Sequence, residues 1–310
     1  MKVSSISAAV PSRSPLAQML RRYPLAVFFT LAYVGSWIVW LPMVLASNTV
    51  LLPSSAVSPG LRFVLTLLAP FTGPTLAAFV VTAGIEGKGG VRALLSRYLQ
   101  WRFGWLWYVV ALAGPPIVLM SSVAAVYGAG ALPPLHEQGL EISVTFLITL
   151  IVNLFIGGIL GEEPGWRGFA LPRLQARYGP LGGSIGLGVM WSLWHVPLVL
   201  IPSGVTWTGN FGLFMILGVA LTILHTWVHN GTRASLLSVM LLHATMNTTT
   251  RMILPNVPGL SRSDGNLLVV TVYTVVALLL IFLTKGRLAH RPEYALEAHA
   301  PHETHGRIKS

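Results

Sequence analysis

The sequence predicts an all-α integral membrane protein with about eight transmembrane helices, and three observations carry that prediction. First, 54% of the residues are apolar and only 9% are charged, whereas soluble domains carry about a quarter charged residues. Second, apolar stretches of membrane length recur along the chain, and runs of 18 or more apolar residues read as spanning helices. Third, the lysines and arginines gather in alternate connections, the pattern that orients a polytopic chain. Cysteine is absent, which excludes disulfides, thiol nucleophiles and thiolate ligands. The net charge of +11 is spread between apolar stretches rather than on one soluble face, so topology explains it and no nucleic-acid partner is expected.

In chain order, the expected spans are residues 24–46, 61–85, 105–127, 143–171, 181–201, 211–229, 235–254 and 266–284. Residues 1–23 form an N-terminal tail with Lys2, Arg13, Arg21 and Arg22. The first span is too long, and lacks the small-residue cleavage site, to be a removable signal peptide. Lys88, Arg92, Arg97 and Arg102 follow the second span, Arg173 and Arg177 the fourth, Arg233 the sixth, and five more basic residues lie in the tail 285–310. All of these fall on one side, so both termini are expected in the cytoplasm, with the chain in the plasma membrane. The stretch "GGVRALLSRYLQWRFGW" alternates basic and aromatic residues at helical spacing and reads as an interfacial anchor. The tail 285–310 is polar, carries four histidines and reads as disordered.

Of the nine acidic residues, only Glu162 and Glu163 fall inside an apolar stretch. An ionisable group at the bilayer centre costs roughly 2.5–3.5 kcal/mol on insertion scales, which makes both functional suspects. If span four runs unbroken to residue 171, Glu162 lies about ten residues, or ~15 Å, from its end. Pro164 should kink or break that helix, and the freed carbonyls then need partners inside the protein. Arg167 follows Glu163 at the i, i+4 spacing of facing neighbours, so one glutamate is expected to be neutralised and the other left free. On span five, Trp191 and His195 share a face, and Pro197 loosens the helix beyond them. The depth of His195 implies that this helix begins only after "GPLGG". On span seven, His243 and Asn247 share a face. His225 and His229 also stand at i, i+4, but no acidic residue accompanies them, and they read as structural.

A carboxylate, two histidines and an asparagine suit hydrolysis: a general base, a second group on the water, and donors for an oxyanion. No serine sits in a nucleophile elbow and no cysteine exists, so water must attack. The expected catalytic cavity is formed by spans four, five and seven. Glu162, His195 and His243 could alternatively ligate zinc, although Asn247 is a poor zinc ligand and favours a site with no cofactor. A non-catalytic membrane immunity or scaffolding protein, or a transporter, are the competing classes.

The series EExxxR at Glu162, Glu163 and Arg167, then aromatic-xxxH at Trp191–His195, then HxxxN at His243–Asn247, resembles the CPBP family. These are the intramembrane CAAX-type prenyl endopeptidases, bacteriocin-processing or Abi proteins, also described as lysostaphin resistance protein A-like. The resemblance covers about residues 143–254 of the membrane domain 24–284. It implies a glutamate-dependent endopeptidase in which Glu162 and His195 activate water and His243 and Asn247 form the oxyanion hole. Glu163 and Arg167 would order the site. The family's aromatic is commonly phenylalanine, so Trp191 is expected to keep a packing role and take more room. The implied partners are a membrane-tethered peptide or protein substrate and the lipid bilayer, with the oligomeric state left open.

Overall fold

The computed structural model describes residues 15–47, 53–132, 135–156, 158–201 and 210–290, and it contains no strand among them. Most of the expected N-terminal tail and residues 291–310 of the expected disordered tail lie outside the described residues. Helix α1 (Pro15–Arg22) leads into α2 (Pro24–Ser47). Helix α3 (Pro59–Pro70) is capped by Ser58, whose hydroxyl accepts from the Leu61 N–H at 3.3 Å. It runs through a π-helical segment, Phe71–Thr75, into α4 (Leu76–Ser96). A kink at Gly87 divides α4 into the apolar part and the start of the basic, aromatic stretch.

Helices α5 (Trp105–Leu112) and α6 (Gly114–Tyr127) meet at a 41° bend, and α7 (Leu135–Ile156) follows. Then come α8 (Ile159–Glu163), a second π-helical segment at Pro164–Ala170, α9 (Leu171–Trp194) and α10 (Val196–Val199). The chain closes with α11 (Phe211–Gly231), α12 (Leu236–Ile253) and α13 (Arg262–Thr284). Residues 285–290 turn back, so that Leu288 is buried and its carbonyl accepts from the Asn230 amide at 3.0 Å. Order therefore reaches past the end of the last span.

The all-α membrane architecture stands, with a smaller count of strongly apolar spans. Five helices among the described residues are long and apolar enough to cross a membrane, or six when α5 and α6 count as one bent span. The stretches expected at 181–201 and 235–254 are helical, but the helix of the first runs only from the Gly179 kink to Trp194, and α12 falls short of that apolarity. The reason is that α12 faces inward with Ser238, His243, Thr245, Thr248 and Thr249, all buried. Polar side chains are tolerated at membrane depth when protein, not lipid, surrounds them.

Span four differs more. The unbroken helix expected over 143–171 ends at Ile156, and Gly158 adopts a left-handed conformation (φ 84°, ψ −13°) that starts a new helix. An L side chain would be strained there, whereas glycine is not. The glutamates thus lie on a separate buried helix, α8, and the depth reckoned along one continuous span does not apply.

The packing explains how this short helix is held. Helix α11 is the central element, with 56% of its apolar window buried, against 6% for α7 at the periphery. Asn153 fastens α7 inward: it donates to Thr248 Oγ1 at 2.8 Å and accepts from Arg251 at 2.7 Å. On the opposite side an aromatic cluster locks α2 to the glutamate-bearing segment. Trp166 lies 5.6 Å from Phe28 and 5.5 Å from Trp194, and Trp194 lies 4.7 Å from Trp40. The two Trp166 pairs are edge-on, and such pairs are worth about 0.5–1.5 kcal/mol each beyond their burial.

Candidate active site

The glutamates occupy a place where two helical segments almost touch. A Cβ on Gly161 would lie 2.7 Å from Pro70 Cβ and 2.9 Å from the Phe71 nitrogen. One on Gly165 would lie 2.5 Å from Pro74 Cβ and 2.6 Å from the Pro74 carbonyl oxygen. Small residues four apart let backbones approach in this way within membranes. The sequence "GEEPG" therefore seats both carboxylates between two glycines pressed on the first π-helical segment.

Pro164 disturbs the helix as expected, and the backbone carbonyls around it find partners on the neighbouring hairpin. Pro164 has no N–H for the Leu160 carbonyl, which instead receives the Tyr98 hydroxyl at 3.4 Å. Thr75 Oγ1 donates to the Gly161 carbonyl at 2.7 Å, and Arg97 donates to the Gly168 carbonyl at 3.0 Å. The π-helical turn at Pro164–Ala170 is a feature often found at functional sites.

The side chains then fall into two linked groups. Glu163 is fully buried, and its Oε1 accepts from Arg167 Nη1 at 3.0 Å and from His243 Nδ1 at 2.7 Å. The expected i, i+4 ion pair is present, and His243 from α12 closes on the same oxygen. Glu162 faces the other way. Its Oε2 accepts from the Trp191 indole Nε1 at 2.9 Å, while Arg167 pairs with Glu163. Trp191 is likewise more than packing: it supplies the donor that a phenylalanine would lack.

His195 stands just beyond the last residue of α9, before the turn completed by α10 and its Pro197. The helix leading to it restarts at a Gly179 kink (φ 72°), somewhat earlier than the "GPLGG" reading placed it. The His195 ring lies 4.2 Å from the Trp191 ring, and its Nδ1 meets the Trp191 carbonyl at 2.9 Å. A carbonyl can only accept, so Nδ1 carries the proton and a neutral ring keeps its lone pair on Nε2. By the same reasoning His243 Nδ1–H donates to the Glu163 carboxylate. Asn247 lies one turn further along α12 and is half-buried.

Residues 143–249, which hold every residue of both groups, match the family model described as type II CAAX prenyl endopeptidase Rce1-like. Over 149 residues the sequence is 30% identical to CAAX prenyl protease 2 of Methanococcus maripaludis, covering 45% of this chain and 53% of that protein. The core of the chain is CAAX-protease-like. The chain spans about half the length of the curated relative it matches.

One further histidine, read from the sequence as structural, approaches the same carboxylate. His225 of α11 is buried, its ring lies 5.4 Å from that of His243, and its Nδ1 meets the Leu221 carbonyl at 2.7 Å. Its Nε2 and Glu163 Oε2 are both buried without a protein partner. The i, i+4 pair with His229 was visible in the sequence, but the acid that His225 approaches comes from 62 residues earlier.

Ligand atoms of Glu163, His225 and His243 lie within 4.8 Å of one another, the group of three that converges among the described residues. This is a different set from Glu162, His195 and His243. It suits a divalent cation poorly, because Arg167 already places a guanidinium on Glu163 and the His243 Nδ1–H is committed to the same carboxylate. Like charge beside a cation site opposes occupancy.

Proposed function

We propose that the chain is an intramembrane endopeptidase that hydrolyses membrane-tethered, CAAX-like peptides through water activated by Glu162 and His195, without a metal. The observation that carries this reading is the link Glu162–Trp191–His195, in which one tryptophan holds the carboxylate by its indole N–H and the imidazole by its carbonyl. The unprotonated His195 Nε2 and the unused Glu162 oxygen are then the acceptors for a water's protons. Water oxygen attacks the scissile carbonyl carbon, a water proton passes to this pair, and the same proton later goes to the leaving amine as the C–N bond breaks.

His243 and Asn247 serve the oxyanion in this mechanism. With Nδ1–H given to Glu163, donation from His243 Nε2 requires a ring carrying both protons. The charges then balance: Glu162 and Glu163 against Arg167 and the imidazolium. Buried charges persist only when paired in this manner.

The test is cleavage of a lipid-anchored peptide carrying a CAAX-like C-terminus, by purified protein in vesicles, with and without a strong chelator. Glu162→Gln should abolish turnover while the chelator leaves the wild type unchanged. Loss of wild-type activity in chelator, restored by zinc, would overturn the metal-free mechanism. Turnover by Glu162→Gln at the wild-type rate would remove Glu162 from the chemistry.

A further inference from the structure

Outside the site of the paired carboxylates, a cavity of about 540 Å³ opens where three chain segments meet. The connection before α5 contributes Arg102 and Phe103, the start of α5 Trp107, the turn after α11 Arg233, and the turns after α13 Arg287 and His290. Among the described residues no aspartate or glutamate lines it. The volume is that of a small-molecule site, typically 300–1,000 Å³.

Topology alone would place basic residues at this end of the helices, but it would not gather them around one cavity. Here the backbone is bent to do so. Every non-glycine residue with positive φ among the described residues lies in the two turns that bound the cavity or directly beside them: Arg233, Ala234, Lys285, Leu288 and Ala289. Left-handed backbone is unfavourable for such residues and persists only where surrounding contacts impose it. Those contacts are present. The Gln100 amide donates to the carbonyls of Thr232 and Arg233 at 3.2 and 3.0 Å, and Ser235 Oγ donates back to Gln100 at 2.7 Å. Asn230 holds the other turn through the Leu288 carbonyl at 3.0 Å. The Trp107 ring lies directly on Gly231, where any Cβ would collide with it, and packs 4.8 Å from the Trp227 ring.

From this arrangement we infer that the cavity binds the phosphate of an anionic phospholipid headgroup. The guanidiniums of Arg102 and Arg287 and the His290 imidazole offer donors for phosphate oxygens, and arginine matches phosphate geometry with paired N–H groups. The apolar flanks favour a lipid over a soluble phosphate. Trp105, Leu106, Phe282 and Leu283 are 59–79% exposed beside the opening, as acyl chains would require. Basic pockets between membrane helices recognise headgroups by this chemistry.

The test uses the full chain in a neutral detergent, titrated with short-chain phosphatidylglycerol or phosphatidylcholine and read by native mass spectrometry. Phosphatidylglycerol should bind and phosphatidylcholine should not. Arg102→Gln/Arg287→Gln should weaken binding about 30-fold, from roughly a factor of five per arginine at a membrane surface. Both residues are exposed, so the variant should keep the wild-type elution profile. Lys88→Gln/Arg92→Gln removes the same charge outside the cavity and should bind as wild type. Equal weakening by the two double variants, or none by the first, would overturn the site. Displacement of the lipid by millimolar glycerol phosphate or inorganic phosphate would overturn the lipid as the occupant and assign the cavity to a soluble phosphate.

Discussion

Replacing Arg167 with methionine tests whether the buried charge set holds the site together. Arg167 is 2% exposed and Glu163 is fully buried, so the variant leaves a carboxylate with no guanidinium and no access to bulk solvent. Breaking a buried pair from one side costs about 3–5 kcal/mol. At roughly 2 °C per kcal/mol for a chain of this size, the thermal midpoint should fall by about 6–10 °C. The companion variant, Arg167→Met/Glu163→Gln, removes the stranded charge and keeps an acceptor for His243, so it should recover at least half of that loss. The assay is thermal unfolding in lipid nanodiscs, read by intrinsic tryptophan fluorescence. A fall below about 2 °C for the single variant, or a double variant no better than the single, would refute the idea that Glu163 is a buried charge held by Arg167.

Gly165→Ala places a methyl group 2.6 Å from the Pro74 carbonyl oxygen, which must push the second π-helical segment off the first. A loss of about 1–3 kcal/mol is expected, with activity falling with it, measured as midpoint and turnover on the same sample. Trp191→Phe keeps a ring against His195 but removes the 2.9 Å donor to Glu162. A hydrogen bond to a charged group is worth ~1.5–3 kcal/mol, so kcat should drop about 10-fold or more with KM little changed. An unchanged kcat would return Trp191 to a packing role.

Much of this protein was legible along the chain because its signals are local. Apolar stretches of membrane length announce helices, since a lipid-embedded backbone must satisfy its own hydrogen bonds. The Glu163–Arg167 pair follows from 3.6 residues per turn, and the motif series from Glu162 to Asn247 marked the CAAX-protease-like region. The disturbance at Pro164 was equally readable, because a missing N–H is a property of one residue. Other features depend on segments distant in sequence. Gly158 ends the fourth span early, yet in the sequence it is one of several glycines in an apolar run. The donor that reaches Glu162 is 29 residues away on α9. His225 meets its acid across 62 residues, and the basic cavity draws on positions from 102 to 290. The sequence by itself determined which residues can span a membrane and which polar groups need shelter there. Only the tertiary structure decided which of those groups face one another, because contact across helices is set by close backbone approach and packing, and neither has a period along the chain.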